Sequence, residues 1–161
     1  MLTFQDMYEA YAADVYRFAL WLSGDSSDAE DITSETFIRA WVRVSSIRTE
    51  TLKAYLLTIA RNIYLAKQRK MNRRVAFDGS YPDSSPGPEA VVETQLELMR
   101  IWKILQSFPE VDRTAFVLRV LNEMPYAEIS RILELSLSTT KVKVHRVRKK
   151  ILAICVDEEY D

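Results

Sequence analysis

The stretch PYAEISRILELSLSTTKVKVHRVRKKI, Pro125–Ile151, decides how this chain of 161 residues is read. Pro125 stands where a first helical residue would, a place where its missing N–H costs little. Tyr126–Leu133 then reads as a short helix and Glu134–Leu137 as a tight turn. A longer basic helix follows from Ser138 to about Val156, with Ser138 or Ser136 able to cap it. A short helix, a tight turn and a basic helix form the helix-turn-helix pattern of DNA-binding proteins. On a helical wheel Thr140, Val144, Val147, Ile151 and Ile154 make an inner stripe, while Ser138, Thr139, Val142, His145, Arg146 and Lys149 lie outward. Short polar groups at the start of such a helix suit base edges, long cations suit phosphates, and Val142 can meet a thymine methyl.

Upstream, Phe108-Pro109 separates two further helices, about Ala90–Ser107 and Glu110–Leu121. The first turns Val92, Leu96, Met99, Trp102 and Leu105 inward. Before them, DGSYPDSSPGPE (Asp78–Glu89) is rich in turn-forming residues and nearly free of apolar ones, so it reads as a linker. It divides the chain into two parts. Neither shows the alternation of a half-buried strand, and both show helical spacing.

The N-terminal part holds three expected helices. Thr3–Ser23 places Phe4, Met7, Tyr8, Tyr11, Val15, Phe18, Ala19 and Leu22 on one stripe and ends at Gly24. Asp25–Ser27 offers capping types for about Asp28–Val44, whose core stripe is Ala29, Ile32, Thr36, Phe37, Ala40, Trp41 and Val44. Its opposite face carries Asp31, Ser34, Glu35, Ile38 and Val42. Aliphatics framed by acids are either covered by a third helix or offered to a partner with basic residues. That third helix, about Glu50–Lys70, has Leu52, Tyr55, Leu56, Ile59, Ile63 and Ala66 as its core stripe. Leu57, Arg61, Tyr64 and Gln68 lie roughly opposite, with Asn62 on an edge. An outward Arg and Tyr can hold phosphate and stack an exposed base.

Composition sets the outer limits. The chain is 48% apolar with only 3 Gly and 5 Pro, enough to bury a core in long helices. One cysteine, Cys155, builds no disulfide framework. No apolar run is long enough to span a membrane, and no leader pattern opens the sequence. One His and one Cys make no metal site, and no phosphate-cradling loop, catalytic triad or paired-carboxylate cleft is present, so neither cofactor nor enzymatic activity is expected. The net charge of −1 hides segregation: Met1–Ala60 holds 5 Lys/Arg against 9 Asp/Glu, whereas Arg61–Arg74 and Lys141–Lys150 hold 6 Lys/Arg each and no acid. Acid-free basic runs in an otherwise acidic chain point to a polyanion partner.

Two further stretches carry a resemblance. DAEDITSETFIRAW (Asp28–Trp41) is similar to region 2.2 of sigma-70-type initiation factors, especially the extracytoplasmic-function (ECF) group. YLLTIARNIYLAKQRK (Tyr55–Lys70) resembles their regions 2.3–2.4, and Phe108–Ile151 resembles region 4. The resemblance implies an all-α chain of two small domains joined by a flexible linker. Region 2 would cover residues 1–74, the linker 75–92, region 4 residues 93–156, with an acidic tail at 157–161. It implies docking on the largest subunits of core RNA polymerase through Asp31, Glu35, Ile38, Arg39 and Val42. It implies that Arg48, Lys53, Arg61, Asn62, Tyr64, Lys67 and Arg69 hold the melted strand of the −10 element. In the same way, Ser138, Thr139, Lys141, Val142, Lys143, Arg146 and Lys149 would read duplex at the −35 element. An anti-sigma factor is a further implied partner, and the implied location is the cytoplasm.

The chain departs from the family pattern at Glu134, where Gly is usual in the turn, at Pro125, where Ser is usual, and at Thr140, where Val is usual. A left-handed Glu134 would cost roughly 1–2 kcal/mol. Two other readings compete: a stand-alone helix-turn-helix regulator that binds promoter duplex without polymerase, and a helical interaction protein whose basic runs are merely solvated.

Overall fold

The computed structural model describes residues 1–46, 51–78 and 93–159, and every regular element among them is helical. Contacts divide the chain into two units, Met1–Ser85 and Pro86–Asp161.

The first unit packs three helices against one another: α1 (Phe4–Ser23), α2 (Ser26–Val42) and α3 (Leu52–Asp78), with a 3-10 turn at Val44–Ser46. α1 begins in a capping box. The Thr3 hydroxyl accepts from the Asp6 N–H, and the Asp6 carboxylate accepts from the Thr3 N–H, each at 3.0 Å. The Thr3 N–H first, and the Thr3 side chain second, favour the charged Asp6 carboxylate and hold it below its ordinary value. At the other end Gly24 takes φ 70°, a left-handed conformation in which glycine has no Cβ to clash. Asp25 caps α2 by accepting from the Asp28 N–H at 2.9 Å.

Met7, Val15, Phe18, Ala19 and Leu22 of α1 interlock with Ala29, Ile32, Phe37 and Ala40 of α2. Thr33 and Thr36 are buried among them without an orphaned hydroxyl, because each donates to the carbonyl one turn earlier, Ala29 at 2.7 Å and Ile32 at 2.6 Å. Phe4, Tyr8 and Trp41, expected in the core, are instead half-exposed. They form an aromatic cluster at the α1–α2 surface with the buried Phe37: Phe4 meets Trp41 edge-on at 5.7 Å and Tyr8 meets Phe37 at 5.0 Å.

α3 differs most from expectation. It runs to Asp78 instead of Lys70, so residues 75–78, expected in the linker, are helical; the rest of the expected linker, 79–92, lies outside the described residues. Its buried arc is also rotated. Leu52, Leu56 and Ile63 are buried as expected, but so are Leu57, Ala60 and Tyr64, whereas Ala66 is exposed. The cause is that both α1 and α2 pack on α3, so two adjacent stripes are covered rather than one.

The second unit holds α4 (Glu93–Gln106), α5 (Glu110–Val120), α6 (Tyr126–Leu133) and α7 (Leu137–Glu159). α7 packs on α5, α6 and α4, and buries Thr140, Val144 and Val147 against Leu105, Ala115, Leu118 and Ile129 of the same core. Leu96, expected to face inward, is exposed. Thr140 fits an apolar stripe because its hydroxyl donates to the Ser136 carbonyl at 2.8 Å.

Candidate functional site

Two surfaces collect the side chains that the sequence singles out, one in each unit. In the first unit α3 does not cover the outward face of α2: Ile38 is 63% and Val42 79% exposed. Asp31 and Glu35 stand on the same face, Arg39 donates to Glu35 one turn earlier, and the Lys67 ammonium of α3 lies 3.8 Å from Asp31. The half-exposed Phe4, Tyr8 and Trp41 lie at the same end of α2. These aromatics were missed as surface residues because helical spacing assigns them to the core stripe. Nothing in the spacing says that the bundle ends before covering them.

The basic part of α3 is sorted by its rotation. Asn62 and Arg69, seven residues apart, are both exposed, and Arg61 is half-buried. Lys53 lies 3.8 Å from Asp14, so both Lys53 and Lys67 sit in half-exposed ion pairs of the kind worth about 0–1 kcal/mol. Tyr64 is a correction: at 3% exposure it is a core residue, and its ring offers no face for an extruded base. Arg48 lies outside the described residues.

In the second unit the helix-turn-helix is built from α6, its turn and α7. Pro125 is the residue before the first helical one, not the first itself, and its carbonyl accepts from Glu128 and Ile129. Glu134 ends α6 at φ 56°, ψ 44°. The Leu135 N–H donates to the Ser130 carbonyl at 3.0 Å and the Glu134 N–H to the Arg131 carbonyl at 3.4 Å, the paired bonds of a Schellman turn. The turn is therefore made, with a glutamate in the left-handed position. Ser136, rather than Ser138, caps α7: its hydroxyl accepts from the Thr139 N–H at 3.1 Å.

The outward face of α7 begins just past that cap. Ser138, Thr139, Val142, Lys143 and Arg146 line one shallow depression on α7, with Lys141 and Lys149 exposed beside it. Val142 stays 46% exposed. Lys143 departs from expectation, because its ammonium turns inward and donates to Asp112 of α5 at 2.7 Å. A basic corner not singled out from sequence stands at the start of α6. Arg119 lies 4.3 Å over the Tyr126 ring while donating to the Met124 carbonyl at 3.1 Å, and the Lys141 ammonium lies 5.8 Å from the same ring. Arg119 and Tyr126 come from different helices, so only the fold unites them with Lys141.

Among the described residues no group of three or more His, Cys, Asp or Glu could hold a metal ion, and no helix is long and apolar enough to cross a membrane.

Comparison with known proteins gives these surfaces a context. Residues 7–74 match the family model "Sigma-70 region 2" and residues 98–151 match "Sigma-70, region 4". The chain is 29% identical to the ECF RNA polymerase sigma factor SigM of Bacillus subtilis, over 95% of both chains. It is 33% identical to the ECF RNA polymerase sigma factor EcfG of Rhodopseudomonas palustris, over 85% of this chain and 76% of that protein. Among solved structures it resembles the sigma factor RpoE of Bartonella quintana, crystallised with the anti-sigma factor NepR. The TM-score is 0.79 at 26% identity, covering 94% of this chain and 96% of that one. Sigma factors are regulatory rather than catalytic proteins. Through its region 2 and region 4 matches, the chain belongs to the sigma-70 family and is a transcription initiation sigma factor of the ECF group.

Proposed function

We propose that the chain carries core RNA polymerase to promoters through two separate grips. The outward face of α2 docks on a large subunit of the polymerase, with Ile38 and Val42 as apolar anchors and Asp31 and Glu35, with Arg39 beside them, selecting a basic partner surface. The uncovered Ile38 and Val42 carry this reading, because a stand-alone regulator has no need of an aliphatic pair framed by acids.

The reading face of α7 takes duplex DNA at the −35 element. Ser138, Thr139 and Val142 meet base edges, and Lys141, Arg146 and Lys149 meet phosphates. The exposed edge of α3 takes the displaced strand of the −10 element through Asn62 and Arg69, with Arg61, Lys53, Lys67 and Arg48 completing the grip. Lys53 and Lys67 exchange weak surface carboxylate partners for phosphates. Melting costs a few kcal/mol per unstacked step, offset by capture of the opened strand and by the polymerase. The two-domain likeness to a sigma factor crystallised with its anti-sigma factor supports an anti-sigma partner here as well. A protein with these partners works in the cytoplasm.

Reconstituted transcription tests the reading. Core polymerase plus this chain should initiate at a cognate promoter found by footprinting the complex on genomic DNA. Tight duplex binding by the chain alone, with no transcription gained by adding polymerase, would make it a stand-alone regulator instead.

A further inference from the structure

Lys141–Lys150 holds six Lys/Arg, and five of them are exposed. The sixth, Lys143, is held differently. Its side chain is 24% exposed, and its ammonium lies 2.7 Å from Oδ1 of Asp112, whose own side chain is 10% exposed. Asp112 belongs to the first turn of α5, so the pair crosses from α5 to α7. Yet Lys143 also lines the depression formed by Ser138, Thr139, Val142 and Arg146. The side chain therefore contributes its stem to the reading face and withdraws its charge from it.

Packing alone gives little reason for this arrangement. A largely buried ion pair loses in desolvation much of what it gains in attraction, and apolar residues of like volume would hold α5 and α7 together as well. What the carboxylate fixes is the location of a charge. A free lysine on a DNA-facing helix adds a phosphate contact, and phosphate contacts raise affinity for every sequence alike.

We propose that Asp112 is a specificity-determining positioning residue: it holds the Lys143 ammonium away from DNA, so that α7 makes one sequence-blind phosphate contact fewer while the lysine stem walls the reading depression. The proposal rests on α7 being a duplex-binding helix.

The test uses the full chain and a fluorescein-labelled duplex of mixed sequence, with anisotropy read between 50 and 200 mM salt. Asp112→Asn should bind this non-cognate duplex more tightly, with a log–log salt slope steeper by about 0.9, so that its advantage shrinks about 3.5-fold across that range. Lys143→Met should keep the wild-type slope, and the double variant should return to it. Acylation of lysines by a succinimidyl ester, followed by mass spectrometry, supplies a second readout. Lys143 should react more slowly than Lys149 in the wild type and as fast as Lys149 in Asp112→Asn.

A Lys143→Met slope flatter than wild type by about 0.9 would mean that Lys143 already holds a phosphate, and would overturn the proposal. Equal acylation of Lys143 and Lys149 in the wild type would overturn it too. Both of these are read on chains that keep Asp112, and so stand whether or not Asp112→Asn folds. Faster acylation of Lys143 in Asp112→Asn, with no duplex binding by any variant at 50 mM salt, would overturn the DNA reading on which the proposal rests.

Discussion

The outward faces of α2 and α7 are both left uncovered by their own units, and they are made of opposite materials. On α2 the exposed centre is aliphatic, Ile38 and Val42, and its frame is acidic, with the half-exposed Phe4, Tyr8 and Trp41 clustered at the same end of the helix. On α7 the centre is Ser138, Thr139 and Val142, and the frame is cationic. A protein surface is matched by desolvated apolar anchors with complementary charge, whereas a nucleic-acid surface is matched by short polar groups and phosphate-seeking cations. The contrast teaches that one chain of almost no net charge carries two chemically opposite exposed faces, one in each unit, and that average charge conceals both.

Ile38→Asp should strike this contrast hardest. A charge placed at an anchor that the proposed docking would bury should weaken polymerase binding by at least about 30-fold, roughly 2 kcal/mol, while duplex binding by α7 stays unchanged. Equal loss in a polymerase pull-down and a duplex anisotropy assay would erase the division of roles. Arg146→Ala should do the reverse at smaller scale: the salt slope of duplex binding flattens by about 0.9, and polymerase binding is untouched. An unchanged slope would remove Arg146 from the phosphate contacts.

The turns of the two units differ too. Gly24 occupies the left-handed position after α1, and Glu134 occupies the one after α6. Glu134→Gly should therefore stabilise the second unit by about 1 kcal/mol, raising its melting temperature by about 4–8 °C in calorimetry and leaving the first unit's transition in place. A lower melting temperature would show that the glutamate side chain matters more than the backbone.

The smallest effect belongs to Asp6. Its folded carboxyl titrates below the ordinary 3.8 because Thr3 bonds to the charged form. The carboxylate half of the capping box is therefore fully effective above 3.8 and is lost as pH falls through the lowered value. A carbon-detected NMR titration should find Asp6 below 3.8, and Thr3→Ala should move it back toward that value.

The sequence by itself determined a great deal wherever the chain's local chemistry has one outcome. The 3.6-residue spacing of apolar side chains marks each helix and the inner stripe of α7, because Thr140, Val144 and Val147 cannot be solvated without losing the core. Gly24 and Asp25 mark the α1–α2 break, because a left-handed cap and an N-cap carboxylate act within a few residues. The two-domain family pattern was legible for the same reason: its motifs are runs of adjacent residues. Tertiary structure alone decided what depends on a neighbour from elsewhere in the chain. Ile38 and Val42 are open because no helix of their unit covers them, and Tyr64 is buried because two helices cover α3 rather than one. Lys143, one more cation in a basic run when read along the chain, is turned inward by a carboxylate on another helix. Spacing along a helix fixes which way a side chain leaves the backbone; only the packing of distant segments fixes what it meets there.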